Sequence, residues 1–289
     1  MAAIGVHFPQ AEIGADFMVI RDFVQAAEEL GFDHINVPDH VIQTRTPRAD
    51  HPIAWHYTTE YPHHETMTLL AFIAGVTRRV ILKSAVLVLP QRQTALVAKQ
   101  AAEIDVLSGG RMQLGVGQGW NEPEYEALGV EFARRHERME EQITVCRRLW
   151  TEQHVTFHGE WHHIEDAGLA PMPVQRPIPI WVGAFARPAV RRAARIADGW
   201  QAMLPAPNDK AARTFEAFRT AVTEAGRDPD AVGIEATLWA TGDEPQKWVD
   251  EARAWLAVGA TQIVFRPQGT FAEIERAVSA FAPLLDELR

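Results

Sequence analysis

The stretch IDVLSGGRMQLGVGQGWNEPEYEALG, residues 104–129, carries the pattern from which the fold of this chain is predicted. A helical pattern ends at residues 108–110, and the apolar residues 112–116 then predict a buried strand. Three glycines alternate at the end of this strand: Gly115, Gly117 and Gly119. A second helical pattern follows, so the stretch is one unit of a repeating β/α chain. Its glycines allow a large flat group, or a neighbouring strand, to approach the backbone closely.

The same alternation of strand and helix runs along the whole chain. Apolar runs predict eight strands, at residues 3–8, 34–37, 80–89, 112–116, 178–182, 199–203, 232–241 and 261–266. Helical spacing predicts helices at residues 17–30, 66–76, 94–107, 122–128, 134–150, 187–197, 209–225, 245–258 and 271–288. Each strand looks apolar rather than alternating, as in parallel sheets that are buried on both faces. The pattern predicts an α/β fold, a (β/α)8 TIM barrel formed as a single domain by residues 1–289.

Two irregular segments are predicted as insertions into this barrel. Residues 41–64 follow strand 2 and are long enough to act as a lid or binding loop, and residues 153–177 precede strand 5. Within the second insertion, residues 158–161 predict a small hairpin. A doubly wound open sheet is the alternative fold, but its glycine-rich turn should follow strand 1, where this chain has Pro9-Gln10.

Composition excludes several classes of function. The formal net charge is −10 and no basic stripe is visible, so nucleic acid is not a predicted partner. No apolar run reaches the roughly 18 residues of a membrane span and no signal peptide precedes strand 1, so a cytoplasmic protein is expected. The single cysteine, Cys146, cannot form an internal disulfide and is predicted to be a buried, inert thiol.

The first insertion contains a group of histidines that raises the question of a metal site. They are His51, His56, His63 and His64. Their spacings match no compact ligand motif and no cysteine joins them, so they are interpreted as loop histidines and no metal is predicted.

In a barrel the site lies where each strand meets the following helix, so the strand ends predict the site residues. The residues at these positions are His7, Pro9, Gln10, Asp39, His40, Ser84, Ala85, Val86, Gln118, Gly119, Trp120, Asn121, Gly183, Ala184, Phe185, Trp200, Gln201 and Arg266. His40 is the strongest acid/base candidate, because it follows a strand, sits beside a carboxylate and carries an imidazole, the side-chain type that can titrate near neutral pH. Asp39 could orient His40, bind a ligand or form a turn.

Two glycine-containing turns are candidates for contact with a ligand. The glycines from Gly115 to Gly119 have the spacing GxGxG rather than GxGxxG, so they are a weak dinucleotide signal. Residues 183–186 lead from strand 5 into a helix, where free N–H groups and the helix dipole would suit a phosphate, with Arg187 adding charge. The same residues are compatible with an ordinary small-residue turn.

The chain resembles the bacterial luciferase-like superfamily, and more narrowly its deazaflavin (coenzyme F420)-dependent oxidoreductases. The resemblance rests on VPDH at 37–40, LKSAVLVLP at 82–90, the stretch 104–129, the R-x-E at 135–137, and PIPIWVGAFARPAVRRAARIADGW at 177–200. It covers roughly residues 3–200, and it is the order of these motifs, more than any one of them, that makes it specific.

The resemblance implies a TIM barrel, a homodimer, and a deazaflavin or flavin at the C-terminal mouth. It implies that Asp39 holds the cofactor and that His40 lies near the reacting ring carbon. It also implies that Ser84, Ala85 and Val86 support the ring, with Ala85-Val86 at the position of a non-prolyl cis peptide, although Ala85 replaces a glycine typical of the family. Further cofactor contacts are implied for Gln118, Gly119, Gly183, Ala184 and Phe185, with Ala184 standing where many relatives have a second glycine.

The predicted function is hydride transfer between F420 and a small organic substrate that the sequence does not identify. His40 would supply or remove the accompanying proton, and the substrate wall is predicted from His7, Trp55, Trp120 and Trp200. The alternative on the same fold is an FMN-dependent two-component monooxygenase. An alternative of another class is a non-catalytic flavin-binding barrel. A hydrolase is disfavoured because no carboxylate pair or metal cluster is found at the strand ends.

Overall fold

Strands and helices alternate along the chain as the sequence predicts. The structure is a computed structural model, and it describes residues 2–43 and 59–289. The strands are β1 Ala3–His7, β2 His34–Val37, β3 Ile81–Ser84, β4 Leu87–Val88, β5 Met112–Gly117, β6 Val155–His158, β7 His163–Ala167, β8 Ile180–Ala184, β9 Gly199–Ala202, β10 Gly233–Ala240 and β11 Gln262–Pro267. The helices are α1 Phe17–Glu29, α2 Thr66–Val76, α3 Thr94–Ser108, α4 Glu122–Ala127, α5 Arg135–Thr151, α6 Arg187–Ile196, α7 Asp209–Glu224, α8 Pro245–Ala257 and α9 Phe271–Phe281.

All the strands except β6 and β7 form one parallel sheet that closes on itself. Their order is β3, β2, β1, β11, β10, β9, β8, β5 and β4, and β3 also pairs with β5. The closing pair aligns Leu82 with Met112. Since β3 and β4 are two parts of the third barrel strand, eight strand positions surround the axis, and the predicted (β/α)8 barrel is confirmed.

The third barrel strand differs from the prediction. The apolar run 80–89 predicts one continuous strand, but the structure divides it into β3 and β4, and a short 3-10 turn follows at Leu89–Gln91. The peptide bond between Ala85 and Val86, at the division, is cis. The position that the family resemblance marks for a non-prolyl cis peptide therefore holds one.

The strands alternate in character, and the prediction that they are apolar throughout is wrong. One face of each strand carries the large aliphatic side chains, such as Ile4 and Val6 of β1, which are fully buried beneath the helices. The other face, by the register of the sheet, carries glycine, polar and aromatic residues: Gly5, His34, Asn36, Lys83, Gly115, Trp181, Gly199, Gln201, Gly233 and Glu235. Alternation is obscured in the sequence because glycine scores as neither polar nor apolar.

The glycines of the inner face make room for large neighbours. A Cβ on Gly199 would lie 2.3 Å from the Trp181 ring, and one on Gly233 would lie 2.4 Å from it. A Cβ on Gly5 would lie 2.1 Å from the His34 ring. The barrel interior is therefore filled by a few large side chains, each seated over a glycine of an adjacent strand.

Several smaller features complete the description of the fold. Asp16 caps α1, accepting a hydrogen bond from the backbone N–H of Met18 at 2.9 Å. Cys146 is buried, as predicted, and burial raises the pKa of its thiol to about 12. The last helix is shorter than predicted, because α9 ends at Phe281 and a 3-10 turn continues to Glu287. No helix in residues 2–43 and 59–289 is long and apolar enough to cross a membrane.

The second insertion contains the predicted hairpin. Its strands β6 and β7 are antiparallel, with His158 opposite His163. Of the first insertion, residues 41–43 and 59–64 are described, and the predictions for His51, Trp55 and His56 lie outside the described residues.

Candidate active site at the barrel mouth

His40 lies at the mouth of the barrel and is oriented by a buried carboxylate. Its Nδ1 is 3.2 Å from Oε2 of Glu124, which is on the first turn of α4. The other carboxylate oxygen accepts backbone N–H bonds from Val41 at 2.5 Å and Ile42 at 3.3 Å. Glu124 therefore fixes both the His40 ring and the chain that follows it.

The charge state of Glu124 follows from these contacts. Burial acts to raise the pKa of its carboxyl, but the hydrogen bond with His40 and the N–H groups of Val41 and Ile42 outweigh burial and lower it. The carboxyl is therefore ionised at neutral pH and accepts a hydrogen bond from the Nδ1–H of His40. In this tautomer Nε2 is the basic nitrogen of the ring. Glu124 is not among the residues predicted from the sequence, where its signal is an acidic residue in the first turn of the helix that follows a barrel strand.

The end of β5 forms the wall beside His40. The Trp120 ring meets the His40 ring edge to face, with centroids 5.7 Å apart. The backbone before it is held by a bond from the Tyr125 hydroxyl to the Gln118 carbonyl at 2.7 Å. Gly119 has φ of 65° and a Cβ there would lie 2.5 Å from Val88, so only glycine suits this turn. The structure thus brings Gln118, Gly119 and Trp120 to the same mouth as His40.

Asp39, the neighbour of His40, is directed into the protein. Its carboxylate accepts hydrogen bonds from the Thr66 hydroxyl at 2.8 Å, the Val88 N–H at 2.9 Å and the Arg92 guanidinium at 2.7 Å. These contacts tie the loop after β2 to the third barrel strand and α2. The orienting role that the sequence allowed for Asp39 belongs to Glu124 in the structure, while its predicted cofactor contact stays a prediction.

The third barrel strand supplies part of the floor of the mouth. Val86 lies against two glycines, since a Cβ on Gly117 would be 2.5 Å from it and one on Gly183 would be 2.7 Å from it. Ser84 is fully buried, and its hydroxyl donates to the Gly115 carbonyl at 2.7 Å. Ser84 therefore joins two strands below the mouth, whereas Ala85 and Val86 are partly exposed.

The turn from β8 into α6 is open to solvent. Ala184 is buried, whereas Phe185 is 73% exposed. Helix α6 begins at Arg187 without a side-chain cap and without an acidic residue in its first turn. Its first turn contains Pro188, which has no N–H, so the remaining N–H groups are those that could face an anion, and the predicted phosphate contact stays a prediction.

Trp200 does not lie at the mouth, which corrects the expectation that it forms part of the substrate wall. Its side chain is fully buried and packs on Phe215 and Phe218 of α7. The reason is strand parity, because the register places Trp200 on the outer face of β9. Its indole N–H donates to the Ala184 carbonyl at 2.8 Å, so it supports the turn before α6.

His7 and Arg266 lie at the ends of two paired strands, β1 and β11. Burial lowers the pKa of His7 well below its usual value, and the charge of Arg266 lowers it further. Arg266 in turn lies over the Trp239 ring, with the guanidinium carbon 4.4 Å from the ring centroid. His7 is therefore a neutral imidazole at this end of the barrel.

A polar cluster that the sequence analysis did not identify fills the barrel interior. The Glu235 carboxylate accepts hydrogen bonds from Lys83 Nζ at 2.7 Å, Asn36 Nδ2 at 2.8 Å and Gln201 Nε2 at 3.1 Å. His34 Nε2 lies 3.3 Å from the same carboxylate. All five side chains are buried. Burial acts to raise the pKa of Glu235, but the charge of Lys83 and the bond with His34 lower it, so Glu235 is ionised. The signal for this cluster in the sequence is a charged residue, Lys83 or Glu235, inside a strand that is predicted to be buried.

Comparison with known proteins adds to this geometry. A family model described as luciferase-like monooxygenase matches residues 3–283. The chain is 28% identical over 280 residues to an F420-dependent hydroxymycolic acid dehydrogenase of Mycobacterium tuberculosis, covering 96% of this chain and 72% of that protein. It is 36% identical over 139 residues to an FMNH2-dependent dimethylsulfone monooxygenase of Pseudomonas putida, covering 47% of this chain and 38% of that protein.

Among solved structures, the chain is similar to an F420-dependent secondary alcohol dehydrogenase in complex with an F420-acetone adduct. The TM-score is 0.82 and the sequence identity 16%, with 100% of this chain and 99% of that chain covered. At this level of identity the likeness concerns the fold.

Proposed function

This chain belongs to the luciferase-like monooxygenase family, and from that premise we propose that it is an oxidoreductase that transfers a hydride between F420 and a small organic substrate. The observation that carries the proposal is the His40–Glu124 pair, with 3.2 Å between Nδ1 and Oε2, at the mouth of the barrel beside Trp120. A buried carboxylate that orients an imidazole is the arrangement required for a general acid or base.

The residues at the mouth fit a flat ring that carries a phosphate. The floor between Gly117 and Gly183 is filled by Val86, so it presents backbone and a short aliphatic side chain to a ring above it. The uncapped first turn of α6 offers N–H groups to a phosphate. Asp39, Ser84, Ala85, Gln118, Gly119, Ala184 and Phe185 remain the other proposed contacts.

When bound, F420 supplies a ring carbon that accepts or donates a hydride. The chain has three tasks around it. Trp120 and the end of β5 position the ring and the substrate side by side. His40 Nε2 removes a proton from a substrate hydroxyl, or returns one to a carbonyl oxygen, while Glu124 stabilises the protonated imidazole. His7, kept neutral by burial and by Arg266, contributes an uncharged polar group to the substrate side.

The relatives support this cofactor without specifying the substrate. The F420-dependent dehydrogenase of Mycobacterium tuberculosis aligns with 96% of this chain, whereas the FMNH2-dependent monooxygenase of Pseudomonas putida aligns with 47%. We therefore rank F420 first and an FMN-dependent two-component monooxygenase second, and a homodimer is also part of the proposal.

The first test is cofactor binding to the purified chain. Titration with F420 and, separately, with FMN should quench the tryptophan fluorescence of the chain, with a micromolar dissociation constant for F420 and weaker binding of FMN. Micromolar binding of FMN without binding of F420 would overturn the choice of cofactor and favour the monooxygenase.

The second test is the role of His40. With the first alcohol, aldehyde or enone from a substrate panel that exchanges a hydride with F420, His40→Ala should lower kcat by about 10²–10⁴-fold. Its F420 dissociation constant should change little, and His136→Ala, an exposed histidine on α5, should match the wild type. An unchanged kcat in His40→Ala would remove His40 from the mechanism, and F420 binding without turnover of any panel member would favour a non-catalytic flavin-binding barrel.

A further inference from the structure

The β6–β7 hairpin carries three metal-ligating side chains on one face. His158 is the register partner of His163, and Glu165 lies two residues beyond His163 on the same strand. Side chains opposite each other, and two apart on a strand, share a face of the hairpin. Their ligand atoms all lie within 4.8 Å of one another, and no other such group of three occurs in residues 2–43 and 59–289.

The ligand atoms of these three groups lie near the separations of a coordination polyhedron, and the closest pair has to move apart when an ion enters. His158 Nε2 is 2.6 Å from Glu165 Oε1, and His163 Nε2 is 3.3 Å from the same oxygen. Metal–ligand distances of about 2.1 Å at tetrahedral angles place neighbouring ligand atoms about 3.4 Å apart. The 3.3 Å pair is already close to this separation, whereas the His158–Glu165 pair has to lengthen by about 0.8 Å to admit an ion. The two imidazole rings are 4.3 Å apart at 45°.

The backbone that carries the ligands is anchored. The Glu141 carboxylate of α5 accepts the N–H groups of Glu160, at 2.8 Å, and of Trp161 and His162, each at 2.9 Å. A Cβ on Gly159 would lie 2.4 Å from that carboxylate, so the hairpin turn closes directly on it. This carboxylate fixes the turn that joins His158 to His163, so little conformational entropy is lost when an ion binds.

We propose that His158, His163 and Glu165 bind one divalent ion of the zinc class, with water completing the coordination. Two imidazoles and one carboxylate suit Zn²⁺, Cu²⁺, Ni²⁺ or Co²⁺, whereas Ca²⁺ and Mg²⁺ prefer oxygen ligands. The side chains are 55%, 68% and 59% exposed, so the ion has direct access from solvent. The bound ion links β6 to β7 on the outer side of the barrel and stabilises the hairpin.

The test is Zn²⁺ titration by calorimetry with untagged, chelator-treated protein. The wild type should bind one ion per chain at the hairpin, and His158→Ala, His163→Ala and Glu165→Gln should each weaken binding at least tenfold. The control is His154→Ala, which removes an exposed histidine at the base of the same hairpin and should leave the affinity unchanged. With Cu²⁺ in place of Zn²⁺, the electron paramagnetic resonance spectrum should show two nitrogen ligands in the wild type and one in His163→Ala.

Three outcomes would overturn the proposal. They are no binding to the wild type, equal affinity in His163→Ala and His154→Ala, or loss of binding only when His51 or His56 is replaced. The first would mean that the three side chains form an ordinary surface contact of histidines with a carboxylate. F420 binding should be the same in all hairpin variants, so this result is independent of the function proposed for the mouth.

Discussion

Two buried carboxylates of this barrel each contact a histidine, but they differ in position and in their other partners. In the barrel interior, Glu235 is surrounded by Lys83, Asn36, Gln201 and His34, and every one of these side chains is buried. At the mouth, the Glu124 carboxylate contacts Nδ1 of His40 and accepts hydrogen bonds from two backbone N–H groups. The interior carboxylate is compensated by a cation, whereas the mouth carboxylate is compensated by a ring that also faces the strand ends.

This difference separates stability from chemistry within one barrel. An ion pair enclosed among strands can stabilise the fold, but it cannot reach a ligand. An imidazole at a strand end can reach a ligand, and its carboxylate fixes the orientation and proton position that acid/base chemistry requires. We therefore expect substitutions in the interior to act mainly on stability, and substitutions at the mouth to act less on stability and more on function.

The largest expected effect comes from removing the interior cation. Lys83→Met leaves the Glu235 carboxylate buried without its charge partner, which should lower the free energy of unfolding by about 3–5 kcal/mol. It also removes the contact of Lys83 Nζ with the Trp181 ring, 3.4 Å from the centroid. Urea unfolding followed by circular dichroism measures the change.

The matched control for this prediction is Lys99→Met, which breaks the exposed Lys99–Glu103 pair of α3. Its expected effect is within about 0.5 kcal/mol. Replacing both Lys83 and Glu235 by apolar residues should recover much of the loss, because no unpaired charge then remains. Equal losses in Lys83→Met and Lys99→Met would show that the interior pair has no special role.

An intermediate effect is expected from crowding the floor of the mouth. Gly183→Ala places a Cβ 2.7 Å from Val86 Cγ1, and valine has little rotamer freedom to move away. The free energy of unfolding should fall by about 1–3 kcal/mol, and Val86→Ala in the same chain should restore part of it. Thermal unfolding of the two single variants and the double variant gives this coupling.

The control is the same substitution at Gly75 of α2. Apart from the chain neighbours and the backbone of the helix itself, no atom of residues 2–43 and 59–289 lies within 4 Å of the added Cβ. Gly75→Ala should stabilise the chain by up to about 1 kcal/mol, because alanine favours a helix over glycine. If Gly183→Ala were as well tolerated as Gly75→Ala, the close packing of Val86 in the floor would be disproved.

The smallest stability effect is expected at the mouth carboxylate. Glu124→Gln should lower the free energy of unfolding by about 1–2 kcal/mol at pH 7, because a neutral amide replaces the charged acceptor of the hydrogen bonds from His40 and from the loop after β2. The pKa of Glu124 is lower in the folded chain than in the unfolded chain. The stabilisation by its ionised carboxylate is therefore complete above about pH 4.3, the pKa of a free glutamate, and is lost as the pH falls through the pKa of the folded chain. The difference between wild type and Glu124→Gln should therefore shrink in acid.

Denaturant unfolding of both proteins from pH 7 to pH 4 and below measures this pH dependence. Glu216→Gln, which replaces an exposed glutamate of α7, should show no comparable difference at either pH. A Glu124→Gln difference that stays constant in acid would mean that the carboxylate charge does not hold His40.

Particular residues show how far the sequence carried the prediction. His40, Trp120 and Gly119 were selected because each follows a predicted strand, and the structure brings them together at one mouth. Trp200 was selected by the same rule and lies instead on the outer face of its strand, against α7. Position along the chain locates a strand end, but strand parity decides which way a side chain points there.

The residues that were missed have a common cause. Lys83 and Glu235 are 152 positions apart, and Glu124 is 84 positions from His40, so no local pattern links the partners. Each looked like a single charge in an apolar strand or in the first turn of a helix. A charge at such a position predicts a buried partner, but the sequence does not say which residue provides it.

The sequence, read as a linear pattern and aided by the family resemblance, predicts four features. They are the fold class, the order of strands and helices, the cis position in the third strand and the histidine at the mouth. These features depend on local spacing and on the rule that parallel strands end together. Other features arise only when the barrel closes and the hairpin pairs. They are the partner of His40, the charge network inside the barrel, the inward or outward direction of each tryptophan, and the convergence of His158, His163 and Glu165. They depend on which distant residues come into register, and that is settled only when the whole sheet packs.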